Sequence, residues 1–162
     1  ITDQAVDYIC AHCPQLQSWV VRGCLQISEL TALQNLDALR IIDITRCTLI
    51  TDLSPLKHCS NIEDVNITDC THITEESLQQ IILHCPRLTK LTLDGCSQVR
   101  DPLIKELVHQ CICLEYVSLI NCVELTTKTI KYLMLAPKLD SIRLDGKLKE
   151  QAELVLAHNI IV

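Results

Sequence analysis

The chain has 162 residues, 48% of them apolar, yet aromatics make up only 2% and phenylalanine is absent. Its formal charge of −6 comes without any run of lysine or arginine, which argues against nucleic acid or an anionic membrane as a partner. No stretch approaches the roughly 18 consecutive apolar residues of a spanning helix, and the opening ITDQAVDY lacks the basic and apolar regions of a signal peptide. The length suffices for one well-buried domain. An initiator methionine is missing, so a longer parent chain is expected.

Self-similarity at a fixed period governs the reading of the elements. Residues 1–12 are the tail of a partial copy, in which Thr2 is suited to cap a helix carrying Val6, Ile9 and Cys10 on one face. The copy starting at Cys13 predicts a strand around Trp19 and Val21, a polar cap at Ser28 and a short helix anchored by Leu30, Leu33 and Leu36. The copy from Leu36 repeats this, with Thr51 as cap and Leu53 and Leu56 as anchors. In the copy from Cys59, Thr74 precedes a longer helix on Leu78, Ile81 and Ile82.

The copy from Cys85 alternates Leu91 and Leu93, then offers Asp101 as cap and Pro102 at the first helical position. The copy from Cys111 leads through Thr126 to a helix on Ile130, Leu133 and Met134. A weaker copy from Ala136 has Lys147 where the others have a second cysteine, and residues 148–157 predict a terminal helix within a cap of about 148–162. Strand, loop and helix recurring at about 25 residues predict an α/β leucine-rich-repeat solenoid. It is expected to be right-handed and to span 1–162 as one domain. Parallel strands would line the concave face, with helices on the convex one.

Each copy reads C-x-x-L-x-x-L-x-L-x-x-C-x-x-I-[T/S], and CPRLTKLTLDGCSQVRD shows it best. This pattern resembles the cysteine-containing subtype of leucine-rich repeat, typical of F-box leucine-rich-repeat proteins and of the antagonist of the mitotic exit network. The resemblance covers nearly the whole chain. It implies substrate recognition for an SCF-type (cullin) ubiquitin ligase, with a ubiquitylation substrate as one partner and an F-box/Skp adaptor region ahead of the repeats. These residues contain no F-box, so that link rests on the repeat subtype. A structural subunit of a stable multiprotein assembly is the alternative.

Nine of the eleven cysteines fall on two columns: Cys13, Cys59, Cys85 and Cys111 before the first leucine, and Cys24, Cys47, Cys70, Cys96 and Cys122 after the strand. Members of a column should sit one strand spacing apart and point in parallel, which is poor geometry for a disulfide. The expected role is packing plus a weak S–H donor supporting the turn, in place of the asparagine usual there. An odd count at periodic positions favours reduced thiols, hence cytoplasm or nucleus. His12, His58, His84 and His109 raise zinc as an alternative, but helix C-termini explain them without converging ligands. Cys113 lies off both columns and is either a surface thiol or a reactive one. Gly23, Gly95 and Gly146 share one slot before the second column and read as turn residues.

No catalytic, nucleotide or metal motif occurs, so an interaction module without catalytic residues, cofactor or metal is expected. On the concave face the first outward column reads Ser18, Ile41, Asp64, Lys90, Tyr116, Ser141. The second reads Val20, Asp43, Asn66, Thr92, Ser118, Arg143, and the third Arg22, Thr45, Thr68, Asp94, Ile120, Asp145. Asp43, Asp64, Asp69 and Asp94 form an acidic middle, with Arg22 and Arg46 to one side and Tyr116 with Ile120 as an apolar anchor on the other. These residues, with Asn66, Lys90, Thr92, Ser118 and Arg143, are the expected protein-binding surface. The layout suits a partner segment with a basic centre and one apolar side chain. The strand around Val20 should present an unpaired edge, covered by more repeats, an F-box region or a partner.

Overall fold

A computed structural model describes residues 1–159. Six strands form one sheet in the order β1 to β6: Ser18–Val20, Ile41–Asp43, Asp64–Asn66, Lys90–Thr92, Tyr116–Leu119 and Ser141–Leu144. Every neighbouring pair is parallel and in the register of the repeat, so Ser18, Ile41, Asp64, Lys90, Tyr116 and Ser141 lie side by side. Across from the sheet lie α1 (Asp3–His12), α2 (Glu75–His84), α3 (Asp101–Gln110) and α4 (Thr127–Leu133), followed by α5 (Gly146–Asn159). The two 23-residue copies have room only for 3₁₀ turns, Thr31–Asn35 and Ser54–His58. This is the leucine-rich-repeat solenoid.

The core is a stack of equivalent aliphatic layers. Ile42, Val65, Leu91 and Val117 at the first inward strand position, and Ile44, Ile67, Leu93 and Leu119 at the second, are all at most 2% exposed. Period-2 alternation puts them between sheet and helices, where Leu78, Ile81, Leu103, Leu107 and Leu133 meet them. The ladder runs past each strand end, with Gly23, Arg46, Asp69 and Gly95 donating their N–H groups to the next repeat at 2.7–2.8 Å. The residue in this slot turns left-handed: φ is +66° at Gly23, +60° at Arg46, +58° at Asp69, +72° at Gly95 and +59° at Asn121. At Gly95 a side chain would also meet the Asp69 carboxylate, which any larger residue there must displace.

Several local expectations are corrected. Arg100 occupies the cap position of α3, with Asp101 and Pro102 as its first two residues. Ser28 and Thr51 cap nothing, because the 3₁₀ turns begin three residues later, after Leu30 and Leu53. Met134 terminates α4 and is exposed rather than core. Gly146 is not a left-handed turn residue; it opens α5, which starts two residues before the predicted terminal helix. Thr74 and Thr126 cap α2 and α4 as expected, accepting from the Ser77 and Lys128 N–H groups.

The thiols do what their columns suggest. Cys47, Cys70, Cys96 and Cys122 donate to the carbonyls of Val21, Ile44, Ile67 and Leu93, each just past the strand of the preceding repeat, at 2.8, 3.1, 3.3 and 3.1 Å. In the first column, Cys59 donates to Leu33 O at 3.2 Å and Cys111 to Ile82 O at 3.6 Å. Cys13 and Cys24 break the pattern: Cys13 is exposed, and Cys24 is half-buried with its Sγ 3.9 Å from Arg22 O of its own repeat. All eleven cysteines are free thiols. His12, His84 and His109 place Nδ1 on the carbonyl four residues back, at 2.7–2.9 Å, which is the helix-end role expected of them.

Candidate partner-binding face

The strand register sets the first two predicted columns in place; the third lies just past the strand ends, and the turn residues Gly23, Arg46, Asp69, Gly95 and Asn121 add a fourth. Strands about 4.8 Å apart bring each column's members within hydrogen-bonding reach of one another. That spacing decides the electrostatics of the face. Asp43 is 4% exposed: Oδ2 accepts from Arg22 Nε at 2.8 Å and Asn66 Nδ2 at 3.2 Å, and Oδ1 from the Thr45 N–H at 3.0 Å and Oγ1 at 2.7 Å. Burial alone would push its carboxyl up, but these donors outweigh burial and hold it below the usual range. Asn66 repeats the motif one strand on, its Oδ1 accepting from Thr68 N–H and Oγ1 at 3.1 and 2.7 Å.

The other aspartates are also engaged. Lys90 Nζ lies 3.1 Å from Asp64 Oδ2 and 5.6 Å from the centre of the Tyr116 ring, joining three strands through one ammonium. Arg46 Nε reaches Asp69 Oδ2 at 3.2 Å. Asp94 Oδ1 accepts from Ser118 Oγ at 2.6 Å and from the Ile120 N–H at 2.8 Å. Ser118 and Thr92 are buried and offer little surface, and Ser118 supports this network through Asp94. The acidic middle is therefore a ladder in which each carboxylate already has a donor. Val20, Ile41, Lys90, Arg22, Arg46 and Arg143 stand exposed, and Asp64, Tyr116 and Ile120 are half-buried.

One pair escaped the sequence reading. Arg40 holds Glu63 through two bonds, Nε–Oε1 at 3.1 Å and Nη2–Oε2 at 2.7 Å, at the entry to β2 and β3. Each immediately precedes a first-column residue, so the register that pairs Ile41 with Asp64 was the available signal. Among the described residues no three His, Cys, Asp or Glu side chains gather as a metal site, and no helix is long and apolar enough to cross a membrane.

No protein-family model matches the chain, and no curated protein matches it. Among solved structures it is similar to an internalin (inlF) of Listeria monocytogenes, at 19% identity over 73% of this chain and 38% of that one, with a TM-score of 0.52. A structure of the Rad7 and Elc1 complex in yeast gives 17% identity over 88% of this chain and 46% of that one, TM-score 0.59. Internalin C2 of L. monocytogenes gives 17% over 88% and 68%, TM-score 0.57. The chain thus spans less than half the length of the first two. At these identities the likeness concerns the fold, and it is the solenoid described above.

Proposed function

We propose that the chain is a protein-recognition module that reads a partner across the concave sheet, and that it selects substrates for a cullin-type ubiquitin ligase. The observation that carries the first part is the ordering of the face. Arg22, Asn66, Lys90 and Asp94 are held by bonds between repeats before any partner arrives, so little side-chain freedom is lost on binding. An open sheet of this kind offers an extended contact surface and no sheltered pocket for reaction chemistry. The ligase reading rests on the cysteine-type repeat motif, and the likeness to a structure of the Rad7 and Elc1 complex is compatible with it.

Affinity purification with mass spectrometry tests both parts. Wild type is compared with the concave double variant Lys90→Glu, Tyr116→Ala and with Lys105→Glu on exposed α3 as a convex control. A partner lost at least about tenfold with the concave variant alone supports the reading, since central interface residues dominate binding. Co-purifying cullin-ligase subunits support the second part. A partner lost only with the convex variant sinks the recognition face.

A further inference from the structure

Of the basic side chains in the four columns, three are matched within the face: Arg22 by Asp43, Arg46 by Asp69 and Lys90 by Asp64. Arg143 on β6 differs. It is exposed and, among the described residues, forms no ion pair. Two residues on, Asp145 has one carboxylate oxygen occupied by the Leu148 N–H at 3.0 Å.

Beside Arg143 the inner layer is open. Ile142 stands at the register position that Ile42, Val65, Leu91 and Val117 fill in the core, yet it is 43% exposed. It belongs to a groove of about 500 Å³ between β6, α4 and α5, floored by Ile130, Leu133, Ile142 and Leu144. In earlier repeats the aliphatic side chains of the following repeat fill the corresponding space, so a leucine or isoleucine side chain suits it. Ile120, from the third column, also lines the groove and joins it to the concave face. Lys149 and Glu153 line it from α5.

We propose that this groove is the anchor pocket for the concave-face partner. The partner is an extended acidic protein segment that inserts one leucine or isoleucine between β6 and α5 and sets a neighbouring carboxylate on Arg143. The inference rests on the recognition-face reading above. Charge sets the segment's sign: on the helix side Glu153 offsets Lys149, and on the sheet side the unpaired Arg143 guanidinium favours an anion, Asp145 beside it being engaged by the Leu148 N–H. A basic segment, the kind suggested by the aspartates of the middle strands, would find Asp43, Asp64 and Asp69 already holding cations and Asp94 engaged by Ser118 and Ile120.

The test uses the full chain with isotope-labelled Ile, Leu and Val methyl groups, titrated with capped tripeptides and followed by NMR. Acetyl-Asp-Leu-Asp-amide should shift the Ile120, Ile130, Leu133, Ile142 and Leu144 methyl signals saturably. Replacing its leucine by serine should abolish the shifts, and acetyl-Lys-Leu-Lys-amide should bind about tenfold more weakly. Arg143→Glu should erase that preference. Equal affinity for the acidic and basic peptides, absent or unsaturable shifts, or shifts elsewhere would overturn the proposal. Groove signals that move with protein concentration alone would also overturn it, by assigning the groove to a second copy. Partner capture separates the two levels of inference. If Lys90→Glu, Tyr116→Ala abolishes capture while Ile142→Asp and Arg143→Glu preserve it, the anchor fails and the recognition face stands. If none of these variants affects capture, the recognition face itself fails.

Discussion

A buried thiol that donates to a backbone carbonyl is most stable with its proton on. Burial pushes Cys70, Cys85, Cys111 and Cys122 up to about 12 and Cys59 to about 11, from an ordinary 9.0. Because the folded values are raised, the stabilisation is complete below pH 9.0 and is lost as pH climbs through the folded values towards 12. Urea denaturation should therefore show stability falling steeply above pH 9.0. A Cys70→Ala, Cys96→Ala variant should start about 2–4 kcal/mol less stable at neutral pH, from lost packing and two lost S–H bonds to carbonyls that keep the Cys47 and Cys70 N–H groups. Its loss above pH 9.0 should be shallower. An equal slope in both proteins would refute the protonated-thiol role. The second cysteine column was legible because five copies repeat it; the exposure of Cys13 and the half-burial of Cys24 were not, since burial depends on packing between repeats that the local pattern does not mark.

The helices and turns are tied across repeats by carboxylates at their starts. Asp3 accepts from the Ser28 N–H, Ser28 Oγ and Glu29 N–H at 2.9, 2.7 and 3.2 Å, and so fixes the loop of the next repeat. Asp101 does the same for α4, accepting from the Thr126 N–H at 3.0 Å and Thr129 Oγ1 at 2.6 Å, and from Thr126 Oγ1. Burial raises the Asp101 carboxyl, but the Thr126 and Thr129 bonds prevail and leave it below its ordinary 3.8. Its contribution is thus present above pH 3.8 and is lost as pH falls through the lower folded value. Asp101→Ala should cost about 1–2 kcal/mol. Hydrogen exchange should quicken in the first turn of α4 rather than in α3, where Asp101 itself resides; the reverse pattern would contradict the cross-repeat tie. Helix existence and spacing followed from the i, i+3, i+4 pattern. The partner of Asp101 lies 25 residues away, and nothing local to its sequence marked it.

Each repeat of the whole molecule touches mainly its neighbours, so stability is graded along the stack. Ile42→Ala, in a sealed layer, should cost about 3 kcal/mol by urea denaturation, and Ile142→Ala, at the open end, less than about 1.5 kcal/mol. Equal costs would mean that the last layer is sealed in solution. The concave columns could be written from the repeat register alone, and the sheet reproduces the first two residue by residue. What the columns did not reveal is the pairing: the sequence sets Arg22 and Arg46 to one side of an acidic middle, whereas the fold pairs them with Asp43 and Asp69, and Lys90 with Asp64. The groove was out of reach of any sequence pattern, since it depends on how α5 lies over β6. The two 3₁₀ turns carry one further consequence. A solenoid bends because packed helices need about 8–10 Å each while strands need about 4.8 Å. Where five-residue turns replace helices, behind β2 and β3, that mismatch shrinks. The sheet is then expected to run flatter over β1–β3 than over β4–β6. A face with two radii would let a straight rod lie along its first half, while only a bent or pliant chain could follow it to the end.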